Sequence, residues 1–444
     1  MSFNFFSNLC SMNLERFIAT RVAFSERKSF SRLIIRIAVV AVALSLSVMI
    51  VAMAVISGFK HQIGEKIFGF WGHIHITSTQ INRTTGETLP VDIHQDFYPS
   101  LEDLGPVSYT KSFSLLGVDL PWEIQESTKG GVRHIQVFAL KPGIIKTKNQ
   151  IEGIVLKGIG PDFDWSFFEK YLVEGKPLSL PDSAASKGIV LSQQTAKRVG
   201  LKLGDRMVFN FVKDGEVFRR AFVVEGIFKT GLEEYDLKFA LVDIRRTQEM
   251  LGWNETQVGG FEVFVDDLSD LDVLTDYIYL EKLPADLYCE NIREKFPAIF
   301  EWLALQDINE VVIIVLMLIV GIINMITALM ILILERTNMV GILKALGQTD
   351  WSIRKIFLYY AAYIIVLGLL WGNALGLVFC WLQETFGIIR LNEANYYLPV
   401  APVEVNFLHV LFLNLGVMVV TLVFLLLPSW LVTKISPVKA IRFK

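Results

Sequence analysis

His73 and His75, in the segment GHIHITS, are the first residues of this 444-residue chain whose type and spacing suggest chemistry. An H-x-H pair on a strand turns both imidazoles to one face, as a metal site would require. No cysteine or acidic third ligand stands nearby, and His61 and His94 are far apart in the sequence. Polar residues on an ordinary strand are therefore expected, and no metal. Nucleophilic catalysis has no better support. There is no G-x-S-x-G elbow, Cys289 lies in an ordinary strand pattern, and the carboxylates are spread rather than paired. The G-x-x-x-x-G-K-[ST] phosphate loop is absent too. The chain is expected to be no enzyme and to hold no cofactor; ATP and magnesium, if used, belong to another polypeptide.

The elements that would carry these residues belong to a membrane protein. Composition is 52% hydrophobic and only 20% charged, with mean hydropathy +0.46. Runs without Asp, Glu, Lys or Arg cover 37–59, 311–334, 356–383 and 405–433. Each exceeds the roughly 20 residues that a spanning helix needs. The first is too long for a signal-peptide core and leads through AVISGFK without a cleavage site, so it stays as an anchor. Arg16, Arg21, Arg27, Lys28, Arg32 and Arg36 precede it. Arg336, Lys344, Arg354 and Lys355 lie between spans two and three, and Lys434, Lys439, Arg442 and Lys444 close the chain. The loop 384–404 carries only Arg390 against Glu384, Glu393 and Glu404. The positive-inside rule then predicts both termini and the loop 335–355 in the cytoplasm, with 60–310 outside. Residues 1–36 form a cytoplasmic segment in which Leu14, Phe17, Ile18 and Val22 recur at helical spacing, an amphipathic surface helix. The residues 434–444 make a cytoplasmic tail.

The fold class expected is an α-helical membrane protein of four spans with a large external α+β domain between the first and second. Cys10, Cys289 and Cys380 fall in three compartments, so no intrachain disulfide holds that domain together. Its two ends, 73–150 and 258–300, each read as strand, helix, strand, and are expected to build one α+β subdomain. In them GHIHITS, GPVSYTKSFSLLGVDL, GVRHIQVFAL, GGFEVFVDD and DLYCENIREKF read as strands, and DFYPSLEDL and LSDLDVLTDYIYLEKL as helices. The middle, 151–257, reads as a mostly β insertion. It holds a strand GIVLSQQ, a helix QTAKRVG ended by Gly200, and Asp214-Gly215 between alternating apolar runs, a strong hairpin signal.

Two further features lie within the membrane portion. Gly368, Gly372 and Gly376 repeat every four residues in span three, a seam on which another helix can approach closely. Asn324 and Thr327 are polar at membrane depth in span two, where an internal hydrogen bond or a substrate cavity would explain them. Between spans two and three, ERTNMVGILKALGQTDWSIRKIF predicts a helix of one to two turns. Val340, Leu343, Ala345 and Leu346 supply its apolar contacts, Lys344 stays polar, and Gly347 ends it in the left-handed conformation. A tight solvated loop has no need of Ile342, Leu343 and Leu346, so a docking surface is expected there.

That segment resembles the cytoplasmic coupling helix of the FtsX-like permeases, in the MacB-type ABC transporter superfamily. The opening NLERFIATRVAFSERKSFSRLIIRIAVVAVALSLSVMIVAMAVISGFKHQI, with GFWGHIHI, is similar to the start of the LolC/LolE lipoprotein-releasing permeases. The ending LLLPSWLVTKISPVKAIRFK resembles their close. The resemblance implies a dimerising subunit in the inner membrane of a Gram-negative bacterium, paired with a second permease subunit and a separate LolD-like ATPase. It implies mechanotransmission that moves a lipoprotein from the membrane to a LolA-like periplasmic chaperone; no nucleic acid is involved. Removing three acyl chains of about 14 methylenes each from lipid, at about 0.8 kcal/mol per methylene, approaches 30 kcal/mol, so a driven process is required. Carried over, Val340, Gly341, Ile342, Leu343, Lys344, Ala345, Leu346 and Gly347 would dock on the ATPase. Met49, Met53, Ile56 and Asn324 would flank a lipid-entry cavity. Met339 stands where the family commonly has an acidic residue, and the Asp214-Gly215 turn replaces a longer proline-bearing chaperone hook expected between Asp205 and Val224. A non-transporting FtsX-like protein that relays ATP hydrolysis to periplasmic cell-wall hydrolases is the alternative, and an exporter of the MacB type, which carries its ATPase in the same chain, is a third.

Overall fold

The computed structural model describes residues 15, 30–80, 88–115, 118–146, 150–181, 184–213 and 215–435. They divide into two units. One comprises the residues up to His61, Trp302–Arg390 and those from Val400 onward; the other comprises Gln62–Glu301 with Leu391–Pro399.

The helical unit holds α1 (Phe30–Trp71) as far as His61, α2 (Pro297–Glu335) from Trp302, α3 (Thr337–Ala345), α4 (Asp350–Phe386) and α5 (Phe407–Ser429). The four helices other than α3 are long and apolar enough to cross a membrane. Local chemistry sets several of their ends. Thr349 caps α4 by accepting from the Ser352 N–H at 3.3 Å, and Gly387, at φ 56, closes it. Asn406 opens α5 by accepting from Leu408 N–H at 2.9 Å. The helices extend beyond the charge-free runs because chain outside the hydrocarbon layer can continue a helix with polar residues in it.

Leu46, Met49 and Ile50 of α1, Met325, Leu329 and Ile333 of α2, Phe357 and Ile365 of α4 and Leu425 of α5 pack into one apolar cluster. The opposite faces expose Leu33, Ile37, Ile319, Trp371, Trp381, Phe412 and Leu427. An outer surface of that kind is matched to lipid, not water.

The other unit holds β1 (Ile74–Ser78), β2 (Val91–Asp92), β3 (Ser108–Leu115), β4 (Val118–Ser127), β5 (Val132–Lys146), β6 (Ile151–Ile159), β7 (Leu172–Gly175) and β8 (Gly188–Ser192). It continues with β9 (Arg206–Lys213), β10 (Glu216–Phe228), β11 (Phe239–Asp243), β12 (Gln257–Val258), β13 (Gly260–Val265) and β14 (Leu287–Asn291). A single sheet runs β14-β1-β13-β5-β6-β11-β8-β10-β7, with β9 beside β10 and β5. The two ends of the domain do pair, through β1 with β13 and β14. The middle portion is not set apart, because the 15-residue β5 pairs with β13 on one side and with β6 and β9 on the other.

Three local readings change. GPVSYTKSFSLLGVDL is two strands rather than one, since β3 and β4 fold back on each other as a separate pair. DLYCENIREKF is strand only to Asn291, which caps a helical turn at Ile292–Lys295 through a reciprocal bond with Glu294. Within LSDLDVLTDYIYLEKL the α-helix proper is Leu271–Tyr277, with a 3-10 turn before it and a π turn after it. The β9–β10 hairpin forms with Lys213 opposite Glu216 and Gly215 at φ 80. Asp214, the amphipathic segment around Leu14–Val22 and the tail from 436 lie outside the described residues. Glu15 is described, and its carboxylate accepts from the Ser352 hydroxyl at 2.7 Å.

Candidate functional site

The helix α3 is short, and its geometry sorts the eight residues singled out from sequence. Gly347 has φ 90, and the Gly347 and Gln348 N–H groups donate back to Lys344 and Leu343 carbonyls at 3.0 and 3.1 Å. That turn terminates the helix as a left-handed glycine should. Val340 is fully buried and Gly341 is buried, both turned into the helical unit. Leu343 is half-buried, while Ile342, at 54% exposed, and Leu346, at 77%, stand out with Ala345 and Gly347. The exposed part of α3 is thus narrower than the full Val340–Gly347 stretch.

Lys344 behaves differently from expectation. Its side chain is only 11% exposed, and its ammonium lies 2.8 Å from Asp350 Oδ1. It also donates to the carbonyls of Ile435 at 3.0 Å and Thr433 at 3.3 Å. Those carbonyls lie in the last turn of the short helix Leu431–Lys434 and at its C-cap, Ile435, where helical C=O groups lack partners and attract cations. Lys344 therefore pins α3 from behind instead of presenting a charge to a partner. The exposed apolar residues sit on a helix that is held.

The glycines of α4 find their partner in α1. A β-carbon at Gly368 would lie 2.6 Å from Val42 Cγ1; at Gly372, 2.9 Å from the Ala43 carbonyl and Leu46 Cβ; at Gly376, 3.2 Å from Ile50 Cβ. Bare backbone at these three places lets the two helices meet. The four cavity candidates differ in burial. Met49 is buried in the helical core, and Met53, Ile56 and Asn324 are half-buried on α1 and α2. Thr327 satisfies its hydroxyl within its own helix, on the Ile323 carbonyl at 2.9 Å.

Sequence reading passed over an intramembrane clasp. Asn373 of α4 donates to Asn414 Oδ1 at 2.8 Å, Asn414 of α5 donates back at 3.0 Å, and each donates to its own helix carbonyl four residues earlier at 2.7 Å. The signal was available: each is an amide well inside an apolar run, and such groups in lipid seek one another.

The two histidines are committed to backbone and cannot share an ion. His73 Nδ1 accepts the Val265 N–H at 2.8 Å, and burial, aided by the charge of Arg133, pushes its pKa down to about 3. His75 donates from Nε2 to the Trp71 carbonyl and accepts from the Lys295 ammonium at Nδ1. Burial first, then that ammonium, holds His75 well below the usual imidazole range. Among the described residues no group of three His, Cys, Asp or Glu side chains could hold a metal.

Comparison with known proteins accounts for both units. Residues 37–278, more than half of the chain, match the MacB-like periplasmic core domain, and 311–437 match the FtsX-like permease C-terminal family. The chain is 24% identical to the lipoprotein-releasing system transmembrane protein LolE of Haemophilus influenzae, over 97% of this chain and 99% of that one. It is 23% identical to LolC of Xylella fastidiosa over 94% of this chain and 96% of that one. With LolC of Neisseria meningitidis it shares 21% identity over 97% of this chain and all of that one. Four apolar helices, a periplasmic mixed-sheet domain between the first two, and similarity running nearly end to end place the chain in the LolC/LolE family of FtsX-like permeases with a MacB-like periplasmic core domain.

Proposed function

We propose that this chain is the membrane subunit of an ABC transporter that releases lipoproteins from the inner membrane, powered by a separate LolD-like ATPase docked on α3. The observation that carries the reading is the near-complete similarity to proteins named for lipoprotein release, 97% of this chain in the LolE comparison. The exposed Ile342 and Leu346 support the docking step, because Lys344 and Val340 anchor the helix that bears them. A partner pushing on a loose loop would dissipate its motion; a partner pushing on a pinned helix moves the spans. On the positive-inside argument α3 is cytoplasmic, both termini are cytoplasmic, and the ATPase binds ATP and magnesium there. A second permease subunit completes the transporter, and a LolA-like chaperone accepts the lipoprotein in the periplasm.

The test is reconstitution in proteoliposomes with the cognate ATPase and a triacylated lipoprotein, scored for ATP-dependent transfer to the aqueous phase. Release should require ATP, and Leu346→Asp should lower ATPase binding and release at least tenfold without shifting thermal unfolding. An active ATPase with no release would overturn the transporter reading in favour of a relay to cell-wall hydrolases. Unchanged release by Leu346→Asp would overturn docking on α3.

A further inference from the structure

A polar row crosses four neighbouring strands of the sheet. Glu290 of β14 stands opposite His75 of β1, His75 opposite Glu262 of β13, and Glu262 opposite Gln136 of β5. Directly opposed residues share a face, so these side chains stand side by side. His75, Glu262 and Gln136 are 1%, 0% and 2% exposed, as is Lys157 of β6 at 0%. Lys157 Nζ is 2.6 Å from Glu262 Oε1, and Gln136 Nε2 donates to Glu262 Oε2 at 2.7 Å. At the edge of the row Lys295 pairs with Glu290 at 3.0 Å and donates to His75.

What the row grips is the end of a helix. Lys157 donates to the Phe70 carbonyl at 2.9 Å and His75 to the Trp71 carbonyl. Phe70 and Trp71 are the last two residues of α1, whose final carbonyls have no partner within the helix and carry the negative end of its dipole. The Lys157 ammonium also lies 5.3 Å from the Trp71 ring and 5.6 Å from the Phe70 ring. Lys295 stands two residues before Pro297, the first residue of α2. One buried network therefore holds the last turn of α1 and the chain entering α2.

A buried ion pair is a poor source of stability, since apolar side chains of equal volume commonly do as well. Every residue of β13 is buried, so the strand would tolerate one at Glu262. Its charge has a geometric use: it holds Lys157 at the carbonyl end of α1. We infer that Lys157 and Glu262 are positioning residues, forming the joint through which displacement of α1 and α2 reaches the periplasmic sheet. The inference rests on the transporter reading above and names where that transporter's motion is passed on.

The test uses the full chain with its ATPase in proteoliposomes and compares wild type with the Lys157→Met/Glu262→Leu double variant. Expected are unfolding within a few degrees of wild type, unchanged ATP hydrolysis, and lipoprotein released per ATP reduced at least tenfold. Lys157→Arg, which keeps the cation, should retain most of that ratio. If the double variant does not fold, Lys157→Gln/Glu262→Gln, which keeps a donor for Phe70 but removes both charges, takes its place with the same expectation. A folded variant with the wild-type ratio overturns the joint. Failure of wild type itself to release lipoprotein overturns the transporter reading instead. Hydrogen exchange then decides the joint separately: ATP should alter protection in β1 and β13 of wild type but not of the variant, and equal responses overturn it.

Discussion

His73 shows what burial does to a group that looks reactive in sequence. Its folded-state pKa of about 3 lies below the ordinary value of 6.5, so the unfolded chain binds the proton first. Stability is therefore complete above pH 6.5 and declines as the pH falls from there toward 3. For His73 alone the loss between pH 6.5 and pH 5 is about 2 kcal/mol, at 1.36 kcal/mol per pH unit. Thermal unfolding of the detergent-solubilised chain should show this, and His73→Gln, which keeps an acceptor for Val265 N–H but does not titrate, should reduce the acid-induced drop. An undiminished drop would place the sensitivity elsewhere. Lys157 and Glu262 carry the same lesson in reverse. Each is a lone charge within an apolar strand, IVLKGI and FEVFV, a pattern that marks a paired buried ion. Which two pair is invisible until the strands are ordered.

At the scale of elements, the seam between α1 and α4 is the most directly testable feature. A side chain at Gly372 meets the Ala43 carbonyl and Leu46 Cβ at 2.9 Å, and a backbone carbonyl cannot rotate away. Gly376 faces only the side chain of Ile50, 3.2 Å away at its Cβ. Gly372→Leu should thus destabilise the helical unit by about 1–3 kcal/mol, the usual cost of overpacking, and Gly376→Ala by less. Unfolding in detergent checks the order, which a comparable loss at both positions would contradict. The four-residue glycine spacing was legible because small residues on one helix face have few other uses in lipid. Its partner was not, because three other spans were equally available.

Over the whole molecule, the chain between α4 and α5 divides its allegiance. Leu391–Pro399 belongs to the periplasmic unit and the residues flanking it to the helical unit. Glu393 pairs with Lys229 at 2.6 Å, and Lys66 donates to the Tyr397 carbonyl at 2.9 Å. Both members of the ion pair are about one-third exposed, at 35% and 32%, so its worth is modest, about 1 kcal/mol. Glu393→Ala should raise local opening of the tip about fivefold, read as faster tryptic cleavage after Arg390 with little change in global unfolding. Unchanged cleavage would mean that other bonds hold the tip. Sequence reading saw this loop only through its deficit of positive charge.

The sequence by itself determined the four apolar helices, the β9–β10 hairpin and the glycine that ends α3. Each is written in a short window, as run length, period or turn chemistry, where local propensity and burial agree. Only the tertiary structure decided that Val340 turns inward and Ile342 outward, that Lys344 pins α3 to the carbonyls of Thr433 and Ile435, and that Lys157 meets Glu262 beneath Phe70. Hydrophobicity tells which residues avoid water but not which neighbour they avoid it against. A charge's partner is chosen by the order of strands and helices in space.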